Sequence, residues 1–216
     1  MNEQLSRNRN IAKLLIVAVA VIAGVGVIAF RGLAKIERVE ASTINDTTIA
    51  AGADPAKSRA AFNDAVKVFF SARCANCHPG GDAPTQGDTM IPHTMEVKRG
   101  PDGRGTGELK CATCHQDINL DGDNMPPGAP DWHMPGADRK MSFQGISAGQ
   151  LCRNLKDPLQ NGGRKTAKDA VEHLVTDPKV TWAWTPGNGR TIPPLGRDEF
   201  LKKMNEWVAG GAACPE

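Results

Sequence analysis

Two five-residue motifs constrain this chain more than anything else in it: Cys74-Ala75-Asn76-Cys77-His78 and Cys111-Ala112-Thr113-Cys114-His115. In each, two thiols three positions apart can reach the vinyl groups on neighbouring edges of one porphyrin. The adjacent histidine is then carried beneath the ring, where its imidazole can meet an iron. That is the pattern of covalent haem c attachment. Two other chemistries use paired cysteines. A four-thiolate zinc site wants about 15–20 residues between its pairs and needs no histidine after either. Here 33 residues separate Cys77 from Cys111, and a histidine follows both pairs. A dithiol exchanger wants one such pair within a βαβ pattern, and no such pattern is readable.

The first motif begins 37 residues before the second. A single-haem domain needs roughly twice that length, so two such domains in tandem do not fit, and the two haems are expected to share one core. Composition agrees with that. Aromatic residues make up 5% of the chain, with no tyrosine, against 23 glycines and 15 prolines. Turns are plentiful and core-forming side chains are few, so haem surface is expected to fill part of the interior.

Helical signals flank the motifs. Asp54-Pro55 reads as an N-cap and first helical residue. Phe62, Ala65, Val66, Phe69 and Phe70 follow at helical spacing. Ser147-Ala148-Gly149-Gln150 resembles a capping box opening a short helix through Leu155. Thr166-x-x-Asp169 opens another, carrying Val171, Leu174 and Val175. Residues 197–209 make a last helix with Phe200, Leu201, Met204, Trp207 and Val208 on one side and Gly210 as its stop. The stretches between, Pro79 to Lys110 and on to about Lys140, read as Gly/Pro-rich loops, and strand signals are weak throughout.

Leu14–Phe30 contains 17 residues without a charge, at the lower limit for a membrane-spanning helix. A cleaved signal peptide is the competing reading. The expected organisation is an N-terminal membrane anchor over residues 1–35, a small, polar tether over 36–54 and one domain over 55–216. Basic residues on the two sides of the apolar stretch balance, so they do not orient it. Haem attachment of this kind belongs outside bacterial membranes. The expected location is therefore the bacterial inner membrane, single-pass, with the haem domain facing the periplasm. Beyond Glu40 acidic and basic residues nearly cancel, and no basic run marks a nucleic-acid partner.

The far face of each iron decides the chemistry. His78 and His115 are the proximal ligands, leaving His93, His133 and His173. His93 follows Pro92, and His133 lies between Trp132 and Met134 with prolines at 130 and 135. Both are stiffened locally and close in sequence to the motifs. We expect His133 to cap the second haem and His93 the first, a pairing open to exchange. Methionine is the competing ligand type, and Met90, Met95, Met125 and Met134 are near enough in sequence. His173 reads as a surface or propionate-contacting residue. Trp182 and Trp184 read as core or haem packing.

With these motifs the chain resembles multihaem c-type cytochromes. The phrases CHPGGD, IPHTMEVKRG, CATCHQ, PPGAPDWHMP and CRNLKDPLQNGGR more specifically resemble small dihaem cytochrome c-like proteins associated with periplasmic molybdenum hydroxylases of the isoquinoline 1-oxidoreductase type. The resemblance implies electron transfer with redox protein partners, in or alongside an oxidoreductase complex. The expected fold class is mainly α with extensive loops, as one dihaem cytochrome c domain behind a single N-terminal transmembrane helix. Two haem c are the expected cofactors, bound at Cys74, Cys77, Cys111 and Cys114. The alternatives are a peroxidase-like enzyme with one open iron and a haem-bearing structural subunit. No catalytic constellation is recognisable. Cys152 and Cys214 remain over, and in an oxidising compartment they are expected to form a disulfide. It would close a loop of about 60 residues, worth roughly 4 kcal/mol in the chain-entropy model.

Overall fold

Asp54 opens the first helix as its sequence implies. Its carboxylate accepts from the Lys57 amide at 3.0 Å, with Pro55 at the first helical position. The computed structural model describes residues 52–216. In chain order the helices are α1 (Pro55–Phe69), α2 (Ala72–Ala75), α3 (Cys111–Cys114), α4 (Ala148–Lys156), α5 (Ala167–Thr176), α6 (Pro178–Trp182) and α7 (Arg197–Ala209). Between α2 and α3 lie two antiparallel two-residue ladders. β1 (Thr85–Gln86) pairs with β2 (Ile91–Pro92), and β3 (Gly105–Thr106) pairs with β4 (Leu109–Lys110). A one-turn 3-10 helix spans Thr94–Glu96. The loops expected there are thus pinned by short ladders that their own sequence does not advertise.

Two other caps form where the sequence places them. The Ser147 hydroxyl accepts from the Gln150 amide at 3.1 Å, opening α4. Thr166 and Asp169 form a reciprocal capping box on α5. Asp177-Pro178 repeats the Asp54-Pro55 signal and opens α6, a helix that the sequence reading passed over.

The core forms where α1 crosses α7. Phe62 meets Trp207 with ring centroids 5.2 Å apart, and Phe69 meets Phe200 and Phe143, each at 5.3 Å. Phe62, Val68, Leu151, Met204 and Trp207 are wholly buried. The helices come close because Ser58, also wholly buried, takes the place of a larger side chain. Its hydroxyl donates to the Trp207 carbonyl at 2.7 Å and accepts from the Ala213 amide at 2.9 Å. A side chain on Gly210 would meet the Ser58 Cβ at 2.7 Å.

The Cys152–Cys214 disulfide is formed, tying α4 to the C-terminal segment across 62 residues of sequence. Gly149 makes room for that segment, since a Cβ there would lie 2.5 Å from the Pro215 carbonyl oxygen. Lys156 holds it as well, donating to the Ala212 carbonyl at 2.9 Å.

The expected fold class needs one correction. Among the described residues no helix is long and apolar enough to cross a membrane. The longest, α1, has 15 residues and a polar outer face. Leu14–Phe30, on which the transmembrane expectation rested, lies outside the described residues, as does most of the tether. What stands is a helical domain with extensive loops.

Candidate functional site

Each CxxCH motif folds as one helical turn with its histidine just beyond, because two cysteines at i and i+3 share a side only in a helical turn. The first turn is α2 and its continuation. His78 donates from Nδ1 to the Met141 carbonyl at 2.7 Å, while the Phe143 amide donates to the His78 carbonyl at 2.8 Å. The imidazole lies flat on the Phe143 ring, centroids 3.9 Å apart and planes 12° apart. Ser142 and Gln144 complete the clasp. Ser142 donates to the Pro79 carbonyl at 3.0 Å, and Gln144 to the Ala75 carbonyl at 3.0 Å.

Cys74, Cys77 and His78 line one cavity of about 550 Å³, together with Trp132, His133 and His173. Burial pushes the thiols up to about 12 for Cys74 and about 11 for Cys77. These are un-ionised thiols at neutral pH, the opposite of the acidic thiolate that a dithiol exchanger uses. Burial also pushes His78 down to about 4, keeping it in the neutral form that ligates metal. The second motif lies close by, for the Cys111 thiol contributes to the shift of Cys77.

The second motif is α3. His115 closes it, donating from its backbone amide to the Cys111 carbonyl at 2.9 Å and from Nδ1 to the Pro127 carbonyl at 2.7 Å. Its ring is stacked on Trp132, centroids 4.7 Å apart and planes within 2°. Burial lowers its pKa as well. The β1–β2 ladder delivers His93 to the same place: the His93 amide donates to the Pro84 carbonyl at 3.1 Å, and the Thr94 amide to Gln86 Oε1 at 3.1 Å.

The His93 and His115 ring centroids are 6.2 Å apart. Two imidazoles binding one metal ion from opposite sides, at about 2.0–2.1 Å per bond, have centroids roughly 6.4 Å apart. Rings on a common axis are free to differ in plane angle, so the 58° between these two fits the same arrangement.

Nitrogen chemistry points the same way. His93 Nδ1 donates to the Thr94 carbonyl at 2.7 Å, and His133 Nδ1 to the Asp131 carbonyl at 2.6 Å. His78, His93, His115 and His133 therefore all spend Nδ1–H on a backbone carbonyl. A carbonyl only accepts, so Nδ1 carries the hydrogen and Nε2 keeps its lone pair. That is how metal-binding imidazoles are held.

The structure thus brings His93 to His115 and His133 to the cavity of His78, which is the exchanged form of the expected pairing. Of the competing methionines, Met90 and Met95 are 37% and 66% exposed. Met134 is buried, and its amide donates to the Gly103 carbonyl at 2.9 Å. Trp182 lines the cavity and meets Trp132 edge-on at 5.0 Å. Trp184 also lines it while packing on Phe200 at 5.5 Å.

Three residues escaped the sequence reading. Phe143 and Trp132 cover the His78 and His115 imidazoles, and only the WHMP phrase drew attention to Trp132. Arg99 is 1% exposed and knits the loops together, donating to the Pro135 carbonyl at 2.6 Å and the Gly81 carbonyl at 3.0 Å. An arginine amid glycines reads as surface until the carbonyls around it are known.

Among the described residues no three His, Cys, Asp or Glu side chains gather around one point as a protein-only metal site. No protein-family model matches the chain, and neither a curated protein nor a solved structure matches it.

Proposed function

We propose that residues 55–216 hold two haem c groups and carry electrons between redox proteins. Haem c supplies a one-electron iron couple, and the chain's part is to fix the ring, orient the ligands and set the surroundings. Cys74 and Cys77 would hold one haem with His78 beneath it. Cys111 and Cys114 would hold the other, with His115 beneath it and His93 on its far face. The observation that carries this reading is the His93–His115 spacing of 6.2 Å, with Nδ1 of both rings committed to carbonyls. A second histidine for the first iron is available in its own cavity, where His133 and His173 both stand.

Histidine on both faces leaves no iron position for substrate, which favours a carrier over a peroxidase-like enzyme. It also omits methionine, whose ligation raises the potential, so the couple belongs low in the range of c-type haems. The Cys152–Cys214 disulfide supports an oxidising compartment outside the cytoplasm, where this kind of haem attachment takes place. The partners would be an oxidoreductase that donates and a downstream protein that accepts.

The test is haem stoichiometry. Expressed with a haem c maturation system, the protein should give two haems per chain by pyridine haemochrome assay. The double variant Cys111→Ser/Cys114→Ser should give one. Retention of two haems by that variant would refute the assignment.

A further inference from the structure

Helix α5 forms part of the wall around His78. Ala170, His173 and Leu174 all line the cavity, and their spacing of three and four residues puts them on one helical face. The His173 Nδ1 lies 3.7 Å from Asp177 Oδ2, one turn further on and just beyond hydrogen-bond reach. Asp177 is itself fixed, accepting from the Lys179 amide at 2.8 Å as the cap of α6, with its side chain 17% exposed. A carboxylate behind the non-ligating nitrogen is a common support for metal-binding imidazole.

His133 is supported differently. It sits on a loop beside Asp131, which has positive φ of 58° and pairs with Arg104. The Asp131 carboxylate also lies 3.2 Å from His133 Nδ1 and is 53% exposed. His133 Nδ1 is thus committed to the Asp131 carbonyl at 2.6 Å on a loop, whereas His173 is carried by a capped ten-residue helix.

Resting on the two-haem reading, we propose that His173 rather than His133 is the far-face ligand of the iron held at Cys74, Cys77 and His78. His173 would bind through Nε2, with Asp177 steadying Nδ1. His133 then lies near the haem edge without reaching the metal.

The experiment compares His173→Ala, His133→Ala and His173→Met in the full chain, with haem content measured first. With two haems per chain, His173→Ala should turn half of the haem high-spin and make that half bind carbon monoxide. His133→Ala should leave both haems low-spin and unreactive. His173→Met should restore a low-spin haem with a raised potential, a rescue that a merely structural role would not give. A carbon monoxide-binding haem in His133→Ala, with none in His173→Ala, would overturn the proposal. So would a low-spin, unreactive pair in both alanine variants. If His173→Ala fails to mature, His173→Met decides: a raised potential at one haem supports ligation, and an unchanged pair of potentials overturns it. Fewer than two haems in the unsubstituted protein is a separate failure, that of the two-haem reading.

Discussion

Trp132 lies parallel to His115, the planes 2° apart and the centroids separated by 4.7 Å, while its other surroundings belong to the cavity of His78. One indole thus touches both halves of the candidate site. Stacked aromatic pairs of this kind contribute about 0.5–1.5 kcal/mol beyond the area they bury. Trp132→Leu should keep two haems and free the His115 ring to turn. The electron paramagnetic resonance signal of the second haem should shift while that of the first stays close to its original position. Unchanged signals from both would show that the stacking does not orient the ligand.

Arg99 is the buried hinge pin of the loops around the site, with Asp82 at 3.6 Å as its ionic partner. Losing the Arg99 side chain leaves the Pro135 and Gly81 carbonyls without that donor, at a cost of about 1–3 kcal/mol. Arg99→Met should lower thermal stability by that order, and Arg99→Lys should recover little, since a lysine cannot fork to two carbonyls. A melting temperature equal to that of the unsubstituted protein would contradict the role.

Much of this architecture was legible from residues alone, for a local reason. Asp54-Pro55, Ser147 and Thr166-x-x-Asp169 act on backbone groups within a turn of themselves, so their meaning does not depend on tertiary context. His78 and His115 lie just beyond their helical turns for the same local reason, each carried there by the cysteines beside it. The approach of His93 to His115, and of His133 to the cavity of His78, was not legible. It depends on how the β1–β2 ladder and the Asp131–Met134 loop return, and both are held by carbonyl contacts that no side-chain pattern encodes. His173, expected at the surface or against a propionate, lines the cavity of His78, which its helix does not reveal without its neighbours. The orientation of α5 toward the cavity comes from packing against α7 and the Asp177 turn.

Ser58 offers a test of the core. Its hydroxyl satisfies both the Trp207 carbonyl and the Ala213 amide where α1 crosses α7. Ser58→Ala should cost about 1–3 kcal/mol, the expense of leaving the Ala213 amide unpaired, since the Trp207 carbonyl keeps the Ala212 amide at 2.9 Å. Chemical denaturation would measure it, and a change below a few tenths of a kilocalorie would mean that water replaces the hydroxyl.

The disulfide should matter to stability and not to haem attachment. Cys152→Ala/Cys214→Ala should lower unfolding free energy by roughly 4 kcal/mol while keeping two haems per chain. Loss of one haem in that variant would show that these cysteines take part in attachment instead.

The central claim is that both irons carry histidine on both faces. Near-infrared magnetic circular dichroism of the oxidised, unsubstituted protein reads axial ligation directly for every haem present. A charge-transfer band characteristic of bis-histidine haem is expected, with an intensity that corresponds to two haems per chain. A methionine–iron band, or a high-spin signal from either haem, would contradict it.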